Sequence, residues 1–411
     1  MSERSNSREE HLIVQQSDQE QRLNFTRRQL VRRLAAAGFS APVIASILSR
    51  EGMAQEATPE ATPALAAEPG VDLREAFGLD ERLIQYDPFN YGTPLDAVEG
   101  FIVPNDLFFV RNNGPVPEID PAQWRLQVTG LVDQPLDLTL EDLKGMENRT
   151  YTSFLECSGD SRGFFEPNAS GTQWGNTAIG NAEWVGTPLA PILEMAGLQE
   201  GAVEIVSQGG DFAEMQRGLP IGDALSPNTM LVWRMNGADL PVVHGGPVRL
   251  FVPGWGGIAS TKWLVGIDVI DHVFGGPLNT DSYTIVDPFE RRIRPVREMP
   301  VKAVIATPTS GSELDAGQQT VSGYAWSGFG GITMVEVSTD SGVNWTEAEI
   351  VEEAGPLSWV RFETTWDALP GQVSLYARAT DELQMTQPST VPWNARGYYY
   401  NAVFEVPVTI Q

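Results

Sequence analysis

One cysteine stands in the 411 residues, Cys157, at the end of the run Tyr151–Glu156 and directly before Ser158-Gly159. An apolar run of strand length that breaks into Ser-Gly reads as a strand delivering a side chain to a loop. Arg162 follows five residues after the thiol. A thiol beside a fixed positive charge is a reactive nucleophile, a ligand for a soft metal, or a small buried hydrophobe. An intrachain disulfide is excluded by count. Cysteine-histidine catalysis would need one of three histidines. His11 lies near the N-terminus and His272 in an apolar strand-like run, which leaves His244 as the plausible site histidine.

The elements that must position these groups alternate short strands with few helices. Trp124–Gly130 alternates as a strand, and Thr139 can cap a helix beginning just after it. Gly186–Gly197 has proline early and glycine at its end, the usual helix asymmetry. Val203–Ser207 and Met230–Arg234 read as strands flanking a loop that holds Asp211, and Pro247–Pro253 as a buried strand before the glycine-rich loop Gly254–Gly257. The composition turns polar and basic between Glu290 and Arg297, as an inter-domain linker would. Beyond Ala303, alternating strands recur about every ten residues, with a hairpin signal at Asp340-Ser341-Gly342. That pattern predicts an immunoglobulin-like sandwich without a disulfide. The fold class expected is α+β.

A formal charge of −27 argues against nucleic acid and against anionic membrane surfaces as partners. An anionic substrate would have to be drawn in by a local positive pocket. The segment around Arg27-Arg28, followed by the weakly apolar stretch Leu34–Leu48, has the twin-arginine signal pattern and is too short for a membrane span. The Ala/Pro/Thr/Glu-rich run after it reads as a disordered linker. The expected organisation is a signal peptide over 1–54, a linker over 55–72, a catalytic domain over 73–290, a linker over 291–302 and the sandwich over 303–411. Such a chain would be exported, to the periplasm or beyond, with no membrane span after signal removal.

With these residues placed, the chain resembles the sulfite oxidase family of molybdenum-cofactor enzymes. Phe109–Pro117 is similar to the family's N-terminal motif, and Glu156-Cys157-Ser158-Gly159-Asp160-Ser161-Arg162 to its metal-ligand motif. Met235-Asn236-Gly237, His244–Arg249, Val252–Gly254 and Ser260–Leu264 match its cofactor half, in the family order. Val335–Trp345 and Trp393–Gly397 resemble its dimerisation domain.

The resemblance implies a mixed α/β molybdopterin-binding domain followed by the sandwich, a homodimer, and a molybdenum-molybdopterin cofactor with Cys157 as the protein's metal ligand. It implies that Arg111, Asn112, Asn113, Asp211, His244, Arg249, Ser260, Thr261 and Lys262 hold the pterin and its phosphate. It also implies an anion pocket of Arg111, Arg162 and Arg396, with Trp174 as an aromatic wall. In two positions the chain departs from the pattern. Trp233 stands where the family has a tyrosine two residues before the Met-Asn-Gly motif, which would place an indole opposite the substrate, and Asn113 replaces a histidine. The implied reaction is oxidation of sulfite to sulfate, with electrons passed to a separate c-type cytochrome, since one cysteine cannot form a Cys-x-x-Cys-His haem site. A sulfane-sulfur dehydrogenase subunit, another oxyanion or sulfoxide oxidoreductase, and a non-catalytic protein that binds through its sandwich are the alternatives.

Overall fold

The computed structural model describes residues 72–289 and 291–411. The expected signal peptide and nearly all of the linker after it lie outside the described residues. Among those described, no helix is long and apolar enough to cross a membrane.

Two sheets carry the first domain. One is five-stranded, in the order Leu136–Thr139, Arg125–Gly130, Leu264–Ile270, Glu204–Gly209, Gln216–Pro220, with Arg125–Gly130 and Leu264–Ile270 parallel. The other aligns Ala238–Asp239, Met230–Met235, Ile179–Pro188 and Arg149–Glu156 antiparallel, with Arg249–Phe251 also paired to Met230–Met235. A small three-stranded sheet of Ile84–Asp87, Asn90–Gly92 and Val110–Arg111 brings Arg111 to the edge of this assembly. Alternation along the strands splits the apolar residues between two buried clusters. Met230 and Val232 enter one, Leu231 and Trp233 face the other.

The helices are short and start where the sequence says they should. Thr139 caps Leu140–Gly145 in a full capping box with Asp142. Pro188 precedes Leu189–Met195, and Gly197 follows it at φ +73°, a conformation that favours glycine. The basic stretch expected to link the domains is packed. Its strand Arg292–Pro295 pairs with Thr284–Val286, and Val296 and Met299 are buried.

The second domain is the expected sandwich. A four-stranded sheet led by Lys302–Thr307 and Gly317–Trp326 faces a five-stranded sheet that includes Ile332–Ser338 and Gly371–Asp381 around a core of its own. The Asp340 carboxylate accepts from the backbone and side chain of Asn344, closing the predicted turn.

Candidate active site

Cys157 ends the strand Arg149–Glu156. Its N–H donates to the Ala178 carbonyl at 2.8 Å, and its own carbonyl accepts from the Asp160 N–H at 2.8 Å, so the chain turns immediately after the thiol. The side chain is buried and lines a cleft shared with Arg111, His244 and Arg249. Burial raises the thiol pKa, and the charges of Arg111 and Arg162 oppose that rise.

Cations crowd the rest of the cleft. Arg249 enters from a buried strand and donates to the backbone carbonyls of His244 (2.8 Å) and Ser260 (2.9 Å). Burial pulls its guanidinium down to about 9. Lys262 Nζ donates to Asn112 Oδ1 and to the Val243 carbonyl, both at 2.7 Å. Its pKa falls well below the ordinary lysine value through burial and the charges of Arg249 and Arg111. His244 is held down to about 3, first by burial and then by Lys262. Its Nε2 lies 2.7 Å from the Asn105 carbonyl, which accepts only if that nitrogen bears the proton. One carboxylate faces these groups, Asp211, which burial pushes up to about 6.

Four buried polar atoms on cleft-lining residues have no hydrogen-bond partner: Asn112 Nδ2, Ser158 Oγ, Asp211 Oδ1 and Arg249 Nε. Buried polar groups are normally paired, and buried cations normally compensated. An anionic ligand rich in donors and acceptors would satisfy both demands. A molybdopterin, with its phosphate and its pterin edge, has that chemistry, and the residues present fit it. Among the described residues no group of three or more His, Cys, Asp or Glu side chains converges on a metal site, so Cys157 alone would supply the protein's ligand.

Comparison with known proteins gives the same group. Residues 113–278 match the oxidoreductase molybdopterin-binding domain, and residues 294–411 the Mo-co oxidoreductase dimerisation domain. Mitochondrial sulfite oxidase of Mus musculus is 31% identical over 395 residues, spanning 88% of this chain and 72% of the relative. Sulfite oxidase of Arabidopsis thaliana is 32% identical over 352 residues, spanning 76% of this chain and 89% of the plant protein. The chain belongs to the sulfite oxidase family. In three dimensions it is similar to the sulfane dehydrogenase SoxCD from Paracoccus pantotrophus, at TM-score 0.74 and 31% identity, over 86% of this chain and 95% of that one. It is therefore an oxidoreductase of the molybdenum cofactor, with the family's two-domain fold.

The family's cofactor motifs converge as expected in all but one position. Arg111, Asn112, Asn113, Cys157, Asp211, His244, Arg249, Ser260 and Lys262 all line the cleft. Thr261 does not; its hydroxyl is buried against Ser207 Oγ at 2.7 Å.

The sequence-based anion pocket is brought together only in part. Arg111 lines the cleft, whereas the side chains of Arg162, Trp174 and Arg396 do not. Arg162 is buried beside it, its Nε donating to the Arg396 carbonyl (3.0 Å) and one terminal nitrogen to the Thr172 carbonyl (3.1 Å). Thus Arg396 contributes its backbone, and its side chain is exposed. Trp174 is fully buried against Tyr86, with ring centroids 4.5 Å apart. Trp233, expected opposite the substrate, faces the other side of its strand and lines a separate cavity with Lys144, Leu240 and Pro247, so its indole is not part of the Cys157 cleft.

A tyrosine does line the cleft, and sequence reasoning missed it. The Tyr283 hydroxyl donates to Asn113 Oδ1 (3.2 Å) and accepts from Arg111 (3.3 Å). Its ring stacks on Tyr398 at 5.7 Å, and the Tyr398 hydroxyl accepts from the Tyr283 N–H at 3.1 Å. Tyr283 sits at φ +48° in an irregular segment, so no strand or helix period pointed to it.

Proposed function

We propose that this enzyme oxidises sulfite to sulfate: sulfite and water give sulfate, two electrons and two protons. The observation that carries the reading is the Cys157 cleft, with Arg111, Tyr283 and Asn113 joined in one hydrogen-bonded set on its wall. The molybdenum cofactor, when bound, supplies the oxygen-atom transfer and the two-electron redox chemistry. The chain's own residues bind and orient. Cys157 holds the metal, and Arg249, Lys262, Asp211 and Asn112 hold the pterin and its phosphate. Arg111 attracts a small oxyanion against the net negative charge by local field focusing, with buried Arg162 adding to the positive potential. The Tyr283 hydroxyl is placed to orient the anion's oxygens.

Oxidation of sulfane sulfur is the second reading, favoured by the similarity to the sulfane dehydrogenase. The dimerisation-domain match supports a homodimer. The twin-arginine pattern supports export to the periplasm, and a separate c-type cytochrome with a basic face would suit the acidic chain as electron acceptor. Cytochrome c reduction by the purified enzyme, with sulfite, thiosulfate or protein-bound sulfane as donor, tests the reading. Turnover with sulfite supports it. No turnover with sulfite alongside turnover with another donor overturns it.

A further inference from the structure

Glu156 and Asp160 bracket Cys157, one residue before it and three after, and neither lines the cleft. Both side chains are sealed from solvent and converge on one ammonium from the other domain. Lys302 Nζ stands 2.6 Å from Glu156 Oε1, 3.2 Å from Asp160 Oδ2 and 3.0 Å from Ser161 Oγ, and is itself only 1% exposed. Lys302 opens the first strand of the sandwich.

The remaining oxygens are also used. Glu156 Oε2 accepts from the indole N–H of Trp326, another sandwich residue, at 2.8 Å. Asp160 Oδ1 accepts from the backbone N–H groups of Thr177 and Ala178 at 3.1 and 2.8 Å. The Ala178 carbonyl in turn accepts from the Cys157 N–H. The residues on both sides of Cys157 are thus tied by hydrogen bonds to the sandwich domain and to the backbone at Thr177 and Ala178.

An ionic cluster of this kind is a poor adhesive. Desolvating three charges costs about as much as their attraction returns, and apolar residues of similar volume often stabilise more. The same two domains already meet through apolar packing, such as Phe154 against Trp326. What ionic and hydrogen bonds add is a directional constraint. We propose that Lys302 is a positioning residue for the metal ligand, so that the sandwich domain, besides mediating dimerisation, fixes where the Cys157 sulfur stands. The proposal rests on the reading of Cys157 as the ligand.

The test compares the holoenzyme with Lys302→Met, the neutral hydrogen-bonding double variant Glu156→Gln/Lys302→Gln, and Cys157→Ser. Activity is normalised to bound molybdenum, and the metal's sulfur shell is read by X-ray absorption. A displacement of about 1 Å at a reacting centre costs up to roughly a hundredfold in rate. For Lys302→Met we expect kcat to fall at least about tenfold with KM within about twofold, and the metal–sulfur shell to broaden. The double variant should recover the wild-type shell and most of kcat. In cofactor-free protein, alkylation of Cys157 should be at least several-fold faster in Lys302→Met than in wild type. A Lys302→Met enzyme that melts earlier but keeps wild-type kcat and sulfur shell would show that the cluster only joins domains, overturning the proposal. If Lys302→Met does not fold, Glu156→Leu/Lys302→Met replaces the pair by apolar side chains without leaving the Glu156 carboxylate uncompensated, and its unchanged spectrum and kcat would likewise overturn the proposal. Identical shells in wild type and Cys157→Ser would instead remove the ligand reading on which the proposal stands.

Discussion

Burial favours the neutral His244 ring in the folded, cofactor-free protein, and that preference has a measurable acid slope. The ring is buried and close to Lys262 and Arg249, which hold its pKa near 3, against 6.5 for an unperturbed histidine. Above pH 6.5 the group is neutral in both folded and unfolded chains and contributes no slope. Below that, the unfolded chain takes up a proton that the folded chain refuses, and stability falls by about 1.4 kcal/mol per pH unit. The loss is about 2 kcal/mol by pH 5, about 4 kcal/mol at pH 3 where the folded ring is half-protonated, and about 5 kcal/mol in full below that. The variant His244→Gln keeps a donor for the Asn105 carbonyl and cannot titrate. Asp211, held up at about 6, contributes the opposite slope between 3.8 and 6, but it is present in both proteins and cancels in the comparison. Urea unfolding of cofactor-free wild type and His244→Gln at pH 7 and pH 5 gives the answer. Wild type should lose about 2 kcal/mol more than the variant over that interval. Equal losses would refute a neutral His244 in a cationic cluster.

The other expectations concern substrate handling. Tyr283→Phe removes the hydroxyl that bonds both Asn113 and Arg111 and should lower kcat/KM for sulfite by roughly tenfold, read by steady-state cytochrome reduction. Trp233→Phe should leave both kcat and KM within about twofold, because the indole lines a different cavity; a tenfold loss would contradict that placement. Gly159→Ala would drive a Cβ into a terminal nitrogen of Arg162. It should displace that guanidinium and raise KM for the anion several-fold, and thermal melting should show about 1–3 kcal/mol of overpacking cost.

What could be read from the sequence divides by the range of the interactions. The Thr139 cap, the strand ending at Cys157 and the sandwich hairpin at Asp340 depend on neighbours in the chain, and each appears where its residues predict. The cofactor residues were legible through motif resemblance, and the fold carries Arg111 and Lys262, 151 positions apart, to one cleft. Trp233 failed as a site residue because strand alternation decides which face a side chain takes, and motif position alone does not. Arg162 and Arg396 were expected to join Arg111 in one anion pocket; instead the Arg162 guanidinium donates to the Arg396 carbonyl. Tyr283 and Lys302 gave no signal at all. One lies in an irregular left-handed turn, and the other pairs with Glu156 across 146 residues. Such pairings exist only once the chain has closed.

Cys157 is expected to bind molybdenum through its sulfur in this cleft. X-ray absorption at the molybdenum edge, on wild type and Cys157→Ser from cofactor-replete expression, decides whether it does. Wild type should carry close to full molybdenum occupancy, and the variant's metal–sulfur shell should hold one sulfur fewer. Wild-type protein with less than about a tenth of a molybdenum per chain, or a shell unchanged by the substitution, would contradict it.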